Sequence, residues 1–148
     1  MLKKFVLAAA ALLLLGIPTG VMAQEERSIW SGVYTAEQAA RGKIINSGVC
    51  MKCHGDRGDG AGEPDQPQAP AIARATFLRK WDSQSLASLF EFVRGTMPPD
   101  NPGSRTDQNY IDVIAYMLEL TAVPPGDTEL PPDPAVLDYI IVGPKPAQ

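Results

Sequence analysis

An all-α domain of three or more helices is the architecture this sequence predicts, on three observations. Apolar positions recur at helical spacing in separate segments, each opened by a side chain able to cap a helix. No β-α-β alternation develops anywhere along the chain. The 148 residues amount to one domain, and 14 prolines exclude a fold of long uninterrupted elements.

The elements follow in order. Lys3 and Lys4, the apolar run Phe5 to Ile17 and the small residues Val21-Met22-Ala23 have the layout of a cleaved Sec-type signal peptide over residues 1–23. The run is broken by Gly16, Pro18 and Gly20, short of the about 20 apolar residues a membrane anchor needs. The mature chain is therefore expected to be periplasmic and without a membrane span. Thr35 followed by Gln38 reads as a capping box opening a first helix over 36–47, ended by Gly48. Residues 55–70, with four glycines and three prolines, read as an irregular loop.

Asp82 or Ser83 caps the next helix, in which Leu86, Leu89, Phe90 and Val93 share a face and Gly95 marks the exit. After the turn-rich stretch 96–105, Thr106 or Asp107 opens the most regular helix, whose apolar face is Tyr110, Val113, Ile114, Met117 and Leu118. The remainder, residues 121–148, holds seven prolines and reads as an extended tail with one apolar segment, Ala135 to Val142. The domain reading is thus 24–122 for the helical domain and 123–148 for an acidic, proline-rich extension.

Charge narrows the partners. Thirteen Lys and Arg stand against 17 Asp and Glu, a net charge of −4 that becomes more negative if Lys3 and Lys4 leave with the signal. Nucleic acid is therefore excluded as a partner. Residues 41–105 carry nine basic and seven acidic side chains, residues 106–148 one and seven. Lys52, Arg57, Arg74, Arg79 and Lys80 form either a basic rim that steers an acidic partner or ordinary solvated charge.

Cys50-Met51-Lys52-Cys53-His54 is a C-x-x-C-H motif, the attachment signature of c-type haem. Each thiol adds to one vinyl group, and the adjacent histidine becomes the proximal ligand. A disulfide, a thioredoxin-like pair and half of a zinc site are the alternatives. The pair lacks the α/β context of thioredoxin, and with one histidine and two cysteines in the chain a zinc site would have to be completed by carboxylates. One covalent haem c, attached through Cys50 and Cys53, accounts for all the features.

His54 is the only histidine, so a second axial ligand must be of another type. Met51 lies between the attachment cysteines, and Met117 lies on an apolar helix stripe where methionine usually fills core. Met97, in Gly95-Thr96-Met97-Pro98-Pro99, occupies a proline-stiffened turn, and the proline after it biases its backbone toward extended geometry. Met97 is the expected sixth ligand. With both axial positions filled the chemistry is electron transfer, and no catalytic residue is assigned.

Over residues 28–122 the chain resembles class I monohaem c-type cytochromes. It is especially similar to the cytochrome subunits or domains serving periplasmic quinoprotein (PQQ) dehydrogenases, through Ser31-Gly32-Val33-Tyr34-Thr35, Ala40-Arg41-Gly42, Trp81, Leu89-Phe90 and Tyr110 to Tyr116. The resemblance implies a cytochrome c fold around the haem, and a soluble electron carrier rather than an enzyme. Its donor would be a dehydrogenase and its acceptor a terminal oxidase or another cytochrome of the respiratory chain. It further implies that Pro70 offers its carbonyl to the outer N–H of His54, that Trp81 stands near the haem edge with its N–H toward a propionate, and that Gly42 and Tyr116 mark a helix crossing. Two other readings stand beside it: a tightly bound subunit of a quinoprotein dehydrogenase or other redox complex, favoured by the apolar segment 135–142, and a gas-binding haem sensor or enzyme with an open distal site.

Overall fold

The computed structural model describes residues 25–147, and the export signal read in residues 1–23 lies outside them. In chain order the elements are β1 (Arg27–Ser28), α1 (Ala36–Ile45), α2 (Met51–His54), α3 (Arg74–Trp81), α4 (Leu86–Thr96), α5 (Asp107–Leu120), α6 (Pro134–Leu137) and β2 (Ile140–Ile141). The helical expectation holds. Among the described residues the one sheet is the short parallel pairing of β1 with β2, Arg27 opposite Ile140 and Ser28 opposite Ile141.

α1 begins where its cap predicts: the Thr35 hydroxyl accepts from the Gln38 N–H at 3.1 Å. The return half of the capping box is not made, because the buried Gln38 amide is used elsewhere. It donates to the Leu130 carbonyl at 2.9 Å and accepts from the Leu130 N–H at 2.8 Å. Gly48 does not end the helix either. The chain passes through one wide π-helical turn, Asn46–Cys50, directly into α2 and stops at Gly55, whose φ of +79° suits glycine. A Cβ on Gly48 would meet nothing within 4 Å, so nothing there demands a break.

α3 is an element the sequence reading lacked. Only Phe77 and Trp81 are buried on it, a single i, i+4 pair, and Ala73 before it offers no capping side chain. The cap of α4 is Ser85, which accepts from the Ser88 N–H at 3.3 Å, in place of Asp82 or Ser83. Ser83, with φ +60°, belongs to the preceding turn. α4 also runs through Gly95 to Thr96 before Met97 closes it. α5 is capped by Thr106, and every residue from Tyr110 to Leu118 is buried. A single apolar stripe became full burial because α1 covers one side, α4 another, and Tyr110, Val113 and Met117 border an interior cavity.

α1 and α5 share the most extensive contact in the fold. They cross at Gly42, which sits so close to the Asp112 carbonyl and the Tyr116 Cβ that a side chain there has no room. Beside the crossing, Arg41 forks onto the buried Asp112 at 2.9 and 3.1 Å and onto Glu129 at 2.9 and 2.8 Å. The Arg41 hydrogen bond holds the Glu129 carboxyl below the usual carboxylate range.

The tail folds back onto the domain. Leu130, Leu137, Ile140 and Val142 are core residues. Trp30 donates its ring N–H to the Gly143 carbonyl at 2.9 Å, and Ser83 and Gln84 exchange backbone bonds with Val142. The segment 135–142 thus finds its packing partner within the chain, in a one-turn helix and a short strand, and no longer argues for a second protein. Gln38→Ala should lower stability by about 2–4 kcal/mol in chemical denaturation, since it strands two buried backbone groups of Leu130.

The Tyr34 hydroxyl donates to the Val123 carbonyl at 2.6 Å. Burial, reinforced by Glu119, pushes its pKa up to about 12. A raised tyrosine pKa means the fold favours the protonated form, so this contribution is whole below the unfolded value of about 10 and is lost as pH rises toward 12. Stability measured between pH 10 and 12 should therefore fall less steeply in Tyr34→Phe than in the native chain.

Candidate functional site

One large cavity opens between α2, the loop after it, α3, α4, α5 and the segment after α4. It encloses about 1080 Å³ of space free of protein atoms, part of it continuous with solvent. Its wall is overwhelmingly apolar and includes Cys50, Cys53, His54, Pro70, Trp81 and Met97. All six residues singled out from the sequence therefore meet on one surface.

The cysteines and histidine are set by the helical run that Gly48 fails to interrupt. The wide turn and α2 carry Cys50, Cys53 and His54 on one continuous backbone, and both thiols are free and partly buried. Burial pushes the Cys50 thiol pKa up, with the charge of Arg105 acting against it. The loop after α2 curls tightly beneath it: the Gly60 N–H bonds the His54 carbonyl at 2.8 Å and the Glu63 N–H bonds that of Lys52 at 2.7 Å. Gly62 packs against the carbonyls of Lys52 and Cys53 with no space for a Cβ. The glycines that made this stretch look structureless are what allow it to lie flat against α2.

That path brings the Pro70 carbonyl to 2.8 Å from Nδ1 of His54. A carbonyl oxygen only accepts, so Nδ1 carries the proton and Nε2 keeps its lone pair free for a metal. The bond also fixes the ring plane and raises the ligand's basicity.

Across the cavity, Met97 closes α4 with extended backbone, φ −121° and ψ 145°, as expected of a residue before proline. Its N–H bonds the Val93 carbonyl at 2.9 Å, and its own carbonyl accepts from the Tyr110 hydroxyl at 2.8 Å. Met117 borders the cavity as well, from the last turn of α5, and is also part of the core. Trp81 stands edge to face with Phe92, centroids 5.5 Å apart. The Lys80 ammonium lies 4.8 Å from the Phe92 ring centre and 5.5 Å from that of Trp81.

Of the five cations read as either a rim or solvated charge, Lys80 lines the cavity. Arg57 is drawn to Asp59 at 3.4 Å in its own loop. Sequence reasoning missed Arg105 and the hydroxyl of Tyr110. Arg105 precedes a helix cap and carries no motif. Tyr110 was legible as a core ring, but its bond to a carbonyl thirteen residues earlier has no local signature.

The donor set fits a covalently attached haem: two free thiols and an oriented imidazole on one stretch of helix, with thioethers available elsewhere on an apolar wall. Among the described residues no group of three or more His, Cys, Asp or Glu side chains is arranged to hold a metal ion, and no helix is long and apolar enough to cross a membrane. No curated protein and no solved structure matches the chain. The family model described as cytochrome C oxidase, cbb3-type, subunit III matches residues 37–117, from α1 to the cavity-facing part of α5 and more than half of the chain. The chain belongs to that family, and with one C-x-x-C-H motif it is a monohaem c-type cytochrome, an electron-transfer protein carrying covalent haem c.

Proposed function

We propose that this cytochrome works in the periplasm as a single-electron carrier with His54 and Met97 as axial ligands, taking electrons from a dehydrogenase-type donor and passing them to a respiratory acceptor. The observation that carries the reading is the convergence of Cys50, Cys53, His54 and Met97 on one apolar cavity, with the His54 ring oriented by Pro70. When bound, haem supplies a one-electron couple; the chain supplies attachment, ligation, burial and a docking surface. Cys50 and Cys53 hold the group, and His54 presents Nε2 with its tautomer set by the Pro70 carbonyl. Met97 offers a soft thioether from a backbone already fixed by α4 and Tyr110. With His54 on α2 and the Met97 backbone fixed at the end of α4, the two residues would hold the group with little rearrangement between its redox states and would leave no place for a substrate.

The export signal read in the sequence of residues 1–23 and the resemblance to cytochromes of quinoprotein dehydrogenases support the periplasmic, dehydrogenase-linked part of the reading. A second reading, a stably bound subunit of a redox complex, draws on the family's description as an oxidase subunit. Purification from the native host separates the two: a lone monomer is expected of a shuttle, comigration with an oxidase or dehydrogenase of a subunit.

The spectrum of periplasmically expressed protein tests the core of the proposal. Haem should resist acid–acetone extraction, the reduced form should give sharp low-spin bands, and the oxidised form should show the weak far-red sulfur-to-iron band. A high-spin spectrum with carbon monoxide binding at neutral pH would instead indicate an open distal position and a sensor or enzyme.

A further inference from the structure

One side chain fastens the segment that presents Met97. Tyr110, in the first turn of α5 and 4 % exposed, donates its hydroxyl to the Met97 carbonyl at 2.8 Å. The same oxygen accepts from the Arg105 N–H at 3.4 Å. These two partners are the two ends of the connection between α4 and α5, so a single phenolic oxygen pins both ends to one point on α5.

Between the pins, among the described residues, the connection makes hydrogen bonds only within itself. The Asn101 N–H bonds the Pro98 carbonyl at 3.0 Å, and the Ser104 N–H bonds that of Asn101 at 3.3 Å. Residues 99–106 are exposed. Among the described residues the Tyr110 bond is the only one from a side chain that reaches Met97. Without it, Met97 would be held by its place at the end of α4, through the bond of its N–H to the Val93 carbonyl.

We infer that the Tyr110 hydroxyl is a positioning group for Met97: by anchoring that residue's carbonyl it sets how readily the thioether yields its place to an outside ligand. The inference rests on Met97 being the axial donor. A buried tyrosine that served packing alone would contribute through its ring, and the ring survives in phenylalanine. What Tyr110→Phe removes is the bond to Met97 and, with it, the acceptor of the longer Arg105 N–H bond.

The test is a titration of oxidised holoprotein with imidazole, following loss of the far-red band, in the native chain, in Tyr110→Phe and in Tyr34→Phe. The last variant also deletes a buried hydroxyl bonded to a carbonyl, at 2.6 Å to Val123, but away from the cavity, and so controls for general loss of stability. Imidazole should displace the thioether at a concentration roughly tenfold lower in Tyr110→Phe, the population change expected for losing one well-made hydrogen bond. Tyr34→Phe should titrate like the native chain, and all three should keep their haem through acid–acetone extraction. Equal titration of Tyr110→Phe and the native chain would overturn the inference, as would an equal shift in Tyr34→Phe. A native chain without the far-red band, or one whose band survives Met97→Leu, would instead overturn the ligation on which it rests.

Discussion

Gly42→Ala should destabilise the domain by roughly 2–3 kcal/mol and lower its melting temperature by on the order of 10 °C. The added methyl would collide with the carbonyl oxygen of Asp112, an atom of the facing helix backbone that no rotamer change can move aside. Relief requires α1 and α5 to separate, and the separation would disturb more than packing. Arg41, the residue before Gly42, reaches the buried Asp112 across the same crossing, and Asp112 also accepts from Gln108 at 2.8 Å. α1 runs on into the Cys50–His54 stretch, while α5 carries Tyr110, Val113 and Met117 to the opposite wall, so parting them widens the cavity. Gly48→Ala is the matched control. It lies on the same helical run with nothing within 4 Å of the new methyl, and it should be neutral or stabilising by about 0.5–1 kcal/mol. Thermal melts of both variants, with the yield of haem-loaded protein, check the contrast. Equal effects would mean that helix propensity, and not the close approach, governs both positions.

The contrast between these glycines also shows what the sequence made legible. Thr35, Thr106 and the apolar spacing of α4 and α5 are local signals, and each marks an element that forms. Gly48 carried the same weight as a stop signal, yet its backbone stays helical through a π turn, because a glycine permits a break without imposing one. α3 escaped notice because eight residues with one buried pair fall below the length at which periodicity can be told from chance. The residues of the cavity wall were readable where chemistry constrains spacing, as in Cys50 to His54, or where proline constrains backbone, as at Met97. Apart from the Pro70 carbonyl on His54, which the family resemblance implied, long-range polar contacts were not readable. Gln38 had a ready local use in a capping box, but Leu130, 92 positions away, takes its amide. A side chain with two feasible partners goes to the one that satisfies buried backbone groups, and only the fold reveals which that is.

Met97→Leu should leave haem covalently attached, abolish the far-red sulfur-to-iron band and lower the reduction potential by on the order of 0.1 V, well within the roughly 0.8 V that axial ligands span. Carbon monoxide should then bind the reduced protein at neutral pH. Met117→Leu is the necessary partner experiment, because both thioethers border the cavity. The two methionines differ in how they are held. Met117 is in the last turn of α5, 4 % exposed and part of the core, so drawing its sulfur out toward a metal would leave a void among its neighbours. Met97 is partly exposed at the end of α4 and owes nothing to the core, while its backbone is fixed by the Val93 bond, the following proline and Tyr110. A fixed backbone with an uncommitted side chain is what a ligand needs, since ordering it costs little further entropy. Met117→Leu, close in volume, should therefore cost less than about 1.5 kcal/mol and leave band and potential unchanged. If the band vanished in Met117→Leu and persisted in Met97→Leu, α5 would supply the second ligand, and the proline-stiffened segment after α4 would be a rim to the cavity instead of its second arm.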